Sequence, residues 1–193
     1  MTNREKRRQA RSAAIQNYQT REEDGEYIIS GYFAVFGAET ELWPSAYEEV
    51  APEAFDNTLG DDIRALINHD TTQVLGRTKA GTLTLRKDAR GLYGEIRINP
   101  KDQSALDCYE RVKRGDVDQC SFGFDILKED TEFRDDGSIK WTIREVKLYE
   151  VSICTFPAYE DTSVNARKKD YAALKKRDAQ AFKTKMLKKL KGD

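Results

Sequence analysis

Apolar and polar positions alternate along most of this chain in short runs separated by turn signals, with one clearly helical stretch between them. GEYIISGYFAVFG (25–37) is rich in aromatic and β-branched residues and bounded by glycines, and it predicts a long strand opening the folded part. Residues 38–50 are read as a loop, and Pro52, suited to a first helical position, predicts a short helix over PEAFDNTL (52–59). In DDIRALINHD (61–70), Ile63, Ala65, Ile67 and His69 alternate onto one face of a strand. TLTLRKD (82–88) and GLYGEIRI (91–98) flank a turn signal and predict a hairpin. From Lys101 to Arg114, residues Leu106, Cys108, Tyr109 and Val112 fall near the 3.6-residue period, and Gly115 is a natural helix stop.

CSFGFDIL (120–127) reads as a strand with Ser121, Gly123 and Asp125 on one face and Cys120, Phe122, Phe124 and Ile126 on the other. Asp136-Gly137 is a hairpin turn, and VKLYEVSIC (146–154) is a strand with Val146, Leu148, Glu150, Ser152 and Cys154 on one face. Beyond Tyr171, residues Leu174, Phe182, Met186 and Leu190 recur at helical spacing among lysines, as in a basic amphipathic helix. Many strands with one or two helices predict a mainly β domain, a barrel or a sandwich.

Charge sharpens the division of the chain. Residues 1–21 hold six Lys/Arg against one acid, residues 166–193 eleven against three, and residues 22–165 sixteen against thirty. The expected organisation is therefore a basic N-terminal arm, mobile or helical, over 1–23, an acidic folded domain over 24–165, and a basic helix or tail over 166–193. Basic ends of this kind suit an acidic protein partner or nucleic acid, or are simply solvated. No apolar run approaches the ~20 residues that span a bilayer, and the basic N-terminus lacks the apolar region of a secretory signal. Cys108, Cys120 and Cys154 are odd in number and widely spaced, which fits buried thiols better than disulfides or a zinc site.

For chemistry, a serine hydroxyl needs a base within hydrogen-bond reach, and the base needs a third group to hold it. His69 is the sole histidine, placed at a strand end. Ser121 sits beside Gly123, whose missing side chain would clear the same face for a substrate backbone. Locally, Ser121 is equally a small residue tolerated in a packed strand. Glu150 is a carboxylate inside an apolar strand: either it is buried and paired, or that strand is half exposed.

GYFAVFG, PEAF, the strand ending INHD, GLYG, SFGFDI and LYEVSICTFPAY occur in this order, from about Gly31 to Val164. Together they resemble the prohead (capsid maturation) proteases of tailed bacteriophages, a family similar in turn to the herpesvirus assemblins. The resemblance implies an assemblin-like closed β-barrel with flanking helices. It also implies a serine endopeptidase in which Ser121 is the nucleophile, His69 the base, and Glu150, in Glu-Val-Ser-Ile-Cys, stands for the assemblins' second histidine. Asp70, although adjacent to His69, is not expected to be the third member. The assemblins' oxyanion arginine pair is missing. Pro157 has no N–H to donate, so the N–H of Ala158 or Tyr159 is the candidate donor.

The implied substrate is the major capsid protein with its scaffold region, and the protease itself, inside the immature prohead in the bacterial host cytoplasm. No cofactor, metal or membrane is implied, and a homodimer is compatible with the resemblance. The competing readings are a cysteine enzyme using Cys120 or Cys154, a non-catalytic scaffold- or capsid-binding module with basic tails, and, weakest, a nucleic-acid binder.

Overall fold

The computed structural model describes residues 9–13, 18–23, 25–156, 167–169, 171–177, 180 and 183–184. The chain divides into two compact units, Met1–Ala158 and Tyr159–Asp193. In the second, the described residues are helical, Leu174 among them; Phe182, Met186 and Leu190 lie outside the described residues.

The first unit is organised by a long hairpin. Strands β10 (Gln119–Phe133) and β11 (Ile139–Cys154) run antiparallel and are joined through Gly137, whose φ of 83° demands glycine or a strained residue. The other edge of β11 receives two parallel strands: β5 (Ala46–Val50) pairs with Ile139–Ile143, and β6 (Arg64–Ile67) with Glu150–Ile153. Between them, the carbonyl of Ala54 accepts the Val146 N–H at 3.0 Å and the Thr58 hydroxyl accepts the Leu148 N–H at 2.9 Å. That duty accounts for the backbone of residues 52–60, which is a chain of turns closed by i→i−3 hydrogen bonds rather than the expected helix. Strand β4 (Thr40–Trp43) pairs with β5, so part of the expected 38–50 loop is also strand.

Against the far edge of β10 lies β1 (Gln9–Ala13), antiparallel, with Ser12 opposite Ser121. A second sheet runs β2 (Gln19–Glu23), β3 (Glu26–Val35), β9 (Gly91–Ile98), β8 (Leu83–Lys87), and contains the expected hairpin. Residues 1–23 thus contribute two strands within their described part, where an arm was expected. Neither sheet closes on itself among the described residues, which corrects the expected closed barrel. The reason lies in the pairing: β1 and β2 are consecutive but join different sheets, and no described strand bonds across.

The inner faces of the two sheets share one core. Ile29, Phe33, Leu92 and Ile96 come from one, Phe122, Phe124, Leu148 and Val151 from the other, and Tyr109 and Val112 from helix α1 (Gln103–Arg114). Phe122 stacks on Phe124 at 4.8 Å between centroids and meets Phe55 edge-on at 5.6 Å, contacts that add about 0.5–1.5 kcal/mol each beyond area burial. α1 is fixed at both ends as its sequence foretells: the Asp102 carboxylate accepts the N–H groups of Ser104 and Ala105, and Gly115 closes it in the left-handed region.

The hairpin of β6 and β7 (Asp70–Arg77) projects from β11 and is braced at its base. Arg64 and Arg77 are directly opposite each other, a repulsive pairing. Asp62 resolves it, accepting from Arg77 Nε at 2.7 Å and Nη2 at 2.6 Å, with Arg64 Nη2 at 3.2 Å. These hydrogen bonds hold the Asp62 carboxyl down at about 2. An unfolded Asp titrates near ~3.9, so the stabilisation is present in full above that value and is lost as pH falls through about 2. Asp62→Asn is expected to be less stable than the parent at pH 6, with the gap closing as pH approaches 2. Denaturant titrations across that range check it, and a gap independent of pH would show that ionisation of Asp62 contributes nothing.

Candidate active site

Two residues, Asn68 and His69, connect β6 to β7, with Ile67 and Asp70 as the flanking pair. Both have positive φ, 50° and 60°, the combination that a tight type I′ hairpin requires. His69 therefore sits in a turn, not on the strand face expected from alternation. Asn and His both enter this region more readily than most residues, and hydrogen bonds hold the turn there. The Asn68 N–H donates to the Ile153 carbonyl at 2.9 Å, the Asn68 side-chain oxygen accepts the Thr155 N–H at 2.9 Å, and the His69 N–H donates to Ser152 Oγ at 3.2 Å. Parallel pairing of β6 with β11 thus delivers the imidazole beside Ser152 and Glu150.

Glu150 is 2% exposed, which decides between the two readings of that carboxylate: it is buried and partnered. Its Oε1 lies 2.7 Å from His69 Nδ1, and its Oε2 accepts the Ser152 hydroxyl at 2.6 Å. Directly opposite on β10 is Gly123, where an added Cβ would come 2.1 Å from Glu150 Oε1. The missing side chain at 123 makes room for the Glu150 carboxylate, rather than for a substrate backbone as expected. Asp70 is occupied elsewhere: its carboxylate accepts the Thr72 hydroxyl at 2.7 Å and the Thr72 N–H at 2.9 Å, which holds it below the usual carboxylate range.

With Nδ1 donating to the carboxylate, Nε2 of His69 carries the lone pair. That atom is buried and has no hydrogen-bond partner among the described residues. Ser121 is on the neighbouring strand, directly opposite Ser152, and is fully buried. Opposite residues of an antiparallel pair have Cα atoms about 4.5–5.5 Å apart, so Ser121 is one strand spacing from a residue that touches the imidazole. Its own hydroxyl donates to the Arg11 carbonyl of β1 at 2.9 Å. The structure thus joins His69 and Glu150, and leaves Ser121 hydrogen-bonded to the N-terminal strand.

Both candidate thiols are poor nucleophiles here. Burial, then the nearby Glu150 charge, pushes Cys154 up to about 12, and the Cys120 thiol donates to the Tyr32 carbonyl at 3.1 Å on the face opposite Ser121. Pro157, Ala158 and Tyr159 lie outside the described residues, so the candidate oxyanion donors do too. Sequence reasoning gave no role to Ser152, which alternation did place on the Glu150 face. It also missed Arg11 and Glu48, whose guanidinium–carboxylate pair links positions too far apart for any local signal.

A family model described as Caudovirus prohead serine protease matches residues 16–177. The prohead protease of Enterobacteria phage HK97 is 31% identical over 145 residues, which are 73% of this chain and 60% of that protein. The chain therefore spans about 60% of the length of that curated relative. Among solved structures, the bacteriophage T4 capsid assembly protease aligns with a TM-score of 0.46 at 11% identity, over 78% of this chain and 99% of that one. Ser121, His69 and Glu150 all fall inside the range of the family match, which takes in most of the sequence, and the chain belongs to the family of caudovirus prohead serine proteases.

Proposed function

We propose that this chain is a serine endopeptidase of prohead maturation, with Ser121 as nucleophile, His69 as general base and Glu150 as the carboxylate that orients the base. The observation that carries this reading is the 2.7 Å contact between His69 Nδ1 and the buried Glu150 in a chain of this family. An imidazole held at Nδ1 has one protonation site left for catalysis, and that site is Nε2. The Ser121 hydroxyl turns from Arg11 to Nε2, and Oγ attacks the scissile carbonyl as its proton passes to the imidazole. Nε2 then protonates the leaving amine as the C–N bond breaks, giving an acyl-serine. A water, deprotonated by the same nitrogen, hydrolyses that ester. Glu150 stabilises the imidazolium in both steps without itself changing protonation, and Ser152 fixes its second oxygen.

The substrate in this reading is the scaffold region of the major capsid protein, cut inside the immature shell in the host cytoplasm, with the protease also cutting itself. Support comes from family membership and from the HK97 relative, whose name is that of a prohead protease. The basic C-terminal segment, residues 166–193, serves docking rather than catalysis, its charge being opposite to that of the acidic domain.

Ser121→Ala is expected to abolish processing of co-expressed capsid protein with the fold intact, since a hydroxyl on a strand face contributes little packing. Near-normal processing, read by mass spectrometry of the products, would remove Ser121 from the mechanism. Glu150→Gln should lower turnover roughly 10³–10⁴-fold with substrate binding little changed, because the base loses its orientation and its countercharge. Asp70→Asn, which only disturbs the Thr72 contacts, should cost less than about tenfold by the same reasoning. The two variants compared on one peptide decide which carboxylate serves His69. Gly123→Ala tests the seat of Glu150: its methyl group displaces the carboxylate, and turnover should fall at least about 10²-fold, as misplacement of a catalytic group by ~1 Å does. Full activity in that variant would mean that Glu150 need not lie where it does.

A further inference from the structure

The edge of β10 that faces away from β11 carries the nucleophile of the reading above, and in this structure it is filled from within the chain. β1 lies along Cys120–Phe124 as an added antiparallel strand, and its Arg11 carbonyl takes the Ser121 hydroxyl. A peptide group of β1 thus lies against the hydroxyl that the proposed mechanism uses. The Arg11 side chain is anchored at the same time. Its guanidinium forms a two-pronged pair with the Glu48 carboxylate, Nη2 to Oε2 at 2.9 Å and Nε to Oε1, and lies 5.7 Å over the Phe124 ring. Glu48 is 4% exposed, and Arg11 at 11% nearly as buried.

We propose that residues 9–13 stand where a substrate peptide binds, and that Glu48 is a specificity-determining residue, selecting Arg or Lys at the substrate position whose carbonyl meets Ser121. The proposal rests on the reading of Ser121 as nucleophile and adds to it the class of peptide cut. A strand added to a sheet edge is held by main-chain hydrogen bonds common to any sequence, and side-chain pockets supply the selectivity. Here the pocket has a carboxylate at its end and an aromatic wall, which suits a guanidinium in particular. β1 precedes residues 16–177, the range that the family model matches, while Glu48 lies within it. The excess of acids over bases in residues 22–165 favours the approach of a basic peptide.

The occupant and the substrate compete. Peptide affinity is reduced by the fraction of molecules in which β1 fills the edge, and weakening the Arg11 anchor raises it. The test uses the full chain carrying Ser121→Ala and Arg11→Gln, so that binding is read without turnover and with the edge loosened. The probes are two fluorescent peptides with the sequence of residues 9–16, one natural and one with Gln at the Arg11 position. Anisotropy titrations are expected to show the Arg peptide binding about 30-fold tighter or more, the size of effect that loss of a buried charge partner gives. Adding Glu48→Gln to the chain should bring the two peptides to within about twofold of each other, since the charge they compete for is gone. Equal binding of the two peptides to the chain that keeps Glu48 overturns the proposal, and that comparison decides the matter even where Glu48→Gln fails to fold. An undiminished preference in a folded Glu48→Gln chain overturns it equally. Failure of the nucleophile assignment shows separately, as cleavage that persists in Ser121→Ala.

Discussion

A carboxylate removed from water has to be compensated, and the arrangement around Glu150 follows from that requirement. At 2% exposure, its charge is met by the imidazole on one oxygen and the Ser152 hydroxyl on the other. An uncompensated charge in such a place would cost several kcal/mol, on the order of what removing one partner of a buried pair does. Glycine at 123 is the steric condition for the carboxylate to lie there at all. The left-handed turn of Asn68 and His69 is the conformational condition, since it brings Nδ1 into reach. Strain in that turn is offset by hydrogen bonds to Ser152, Ile153 and Thr155, all on β11 or just beyond it. Binding and strain are therefore settled against the same strand.

That strand, β11, links fold and site. Its edge is supplied in succession by β5, by the turns of 52–60 and by β6, so no part of it between Ile139 and Ile153 is left without a neighbour on that side. The parallel alignment of β6 fixes where its terminal turn emerges, and the antiparallel alignment of β10 fixes which residues face Glu150 and Ser152. A shift of either register by one residue would turn every side chain to the opposite face and separate the imidazole from the carboxylate. The Asp62 brace between Arg64 and Arg77 acts on the same register from the base of the hairpin.

How much of this the residues announce depends on the range of the interaction. Helix α1 is legible because its cap, its period and its stop are all local, at Asp102, at Cys108, Tyr109 and Val112, and at Gly115. The hairpins at 88–91 and at Gly137 are legible for the same reason. Residues 52–60 mislead because Pro52 is a sound local helix signal, overridden by distant β11 groups that need Ala54 and Thr58 as partners. His69 misleads in another way: Ile63, Ala65, Ile67 and His69 do alternate, but the chain turns after Ile67, and period alone cannot show where a strand ends. Within the site, the oddity of Glu150 in an apolar run is visible in the sequence, while its pairing with His69, 81 positions away, came from the family resemblance. Arg11 and Glu48 have neither a local signal nor a place in that resemblance.

In the proposed reading, access to Ser121 is the remaining physical problem, and the fold limits its solutions. Ser121 is wholly buried between two neighbouring strands, and the contribution of those two strands differs sharply. β11 runs alongside β10 for the whole length of the hairpin, carries Glu150 and the core residues Ile143, Val146, Leu148, Val151 and Ile153, and cannot leave without unfolding the domain. β1 offers five residues, of which Arg11 is anchored at Glu48. Local opening costs least where least structure is lost, so in the proposed reading the five-residue β1, not the sixteen-residue β11, is the strand that leaves. What replaces β1 must make the same main-chain hydrogen bonds and take the place of the Arg11 guanidinium at the buried Glu48 carboxylate. A peptide with a basic residue in register does both, whereas a neutral one does not replace the Arg11 contact. In the proposed reading, exchange of one strand for another of like charge is the route to the hydroxyl, and discrimination among peptides arises in the same event that uncovers Ser121.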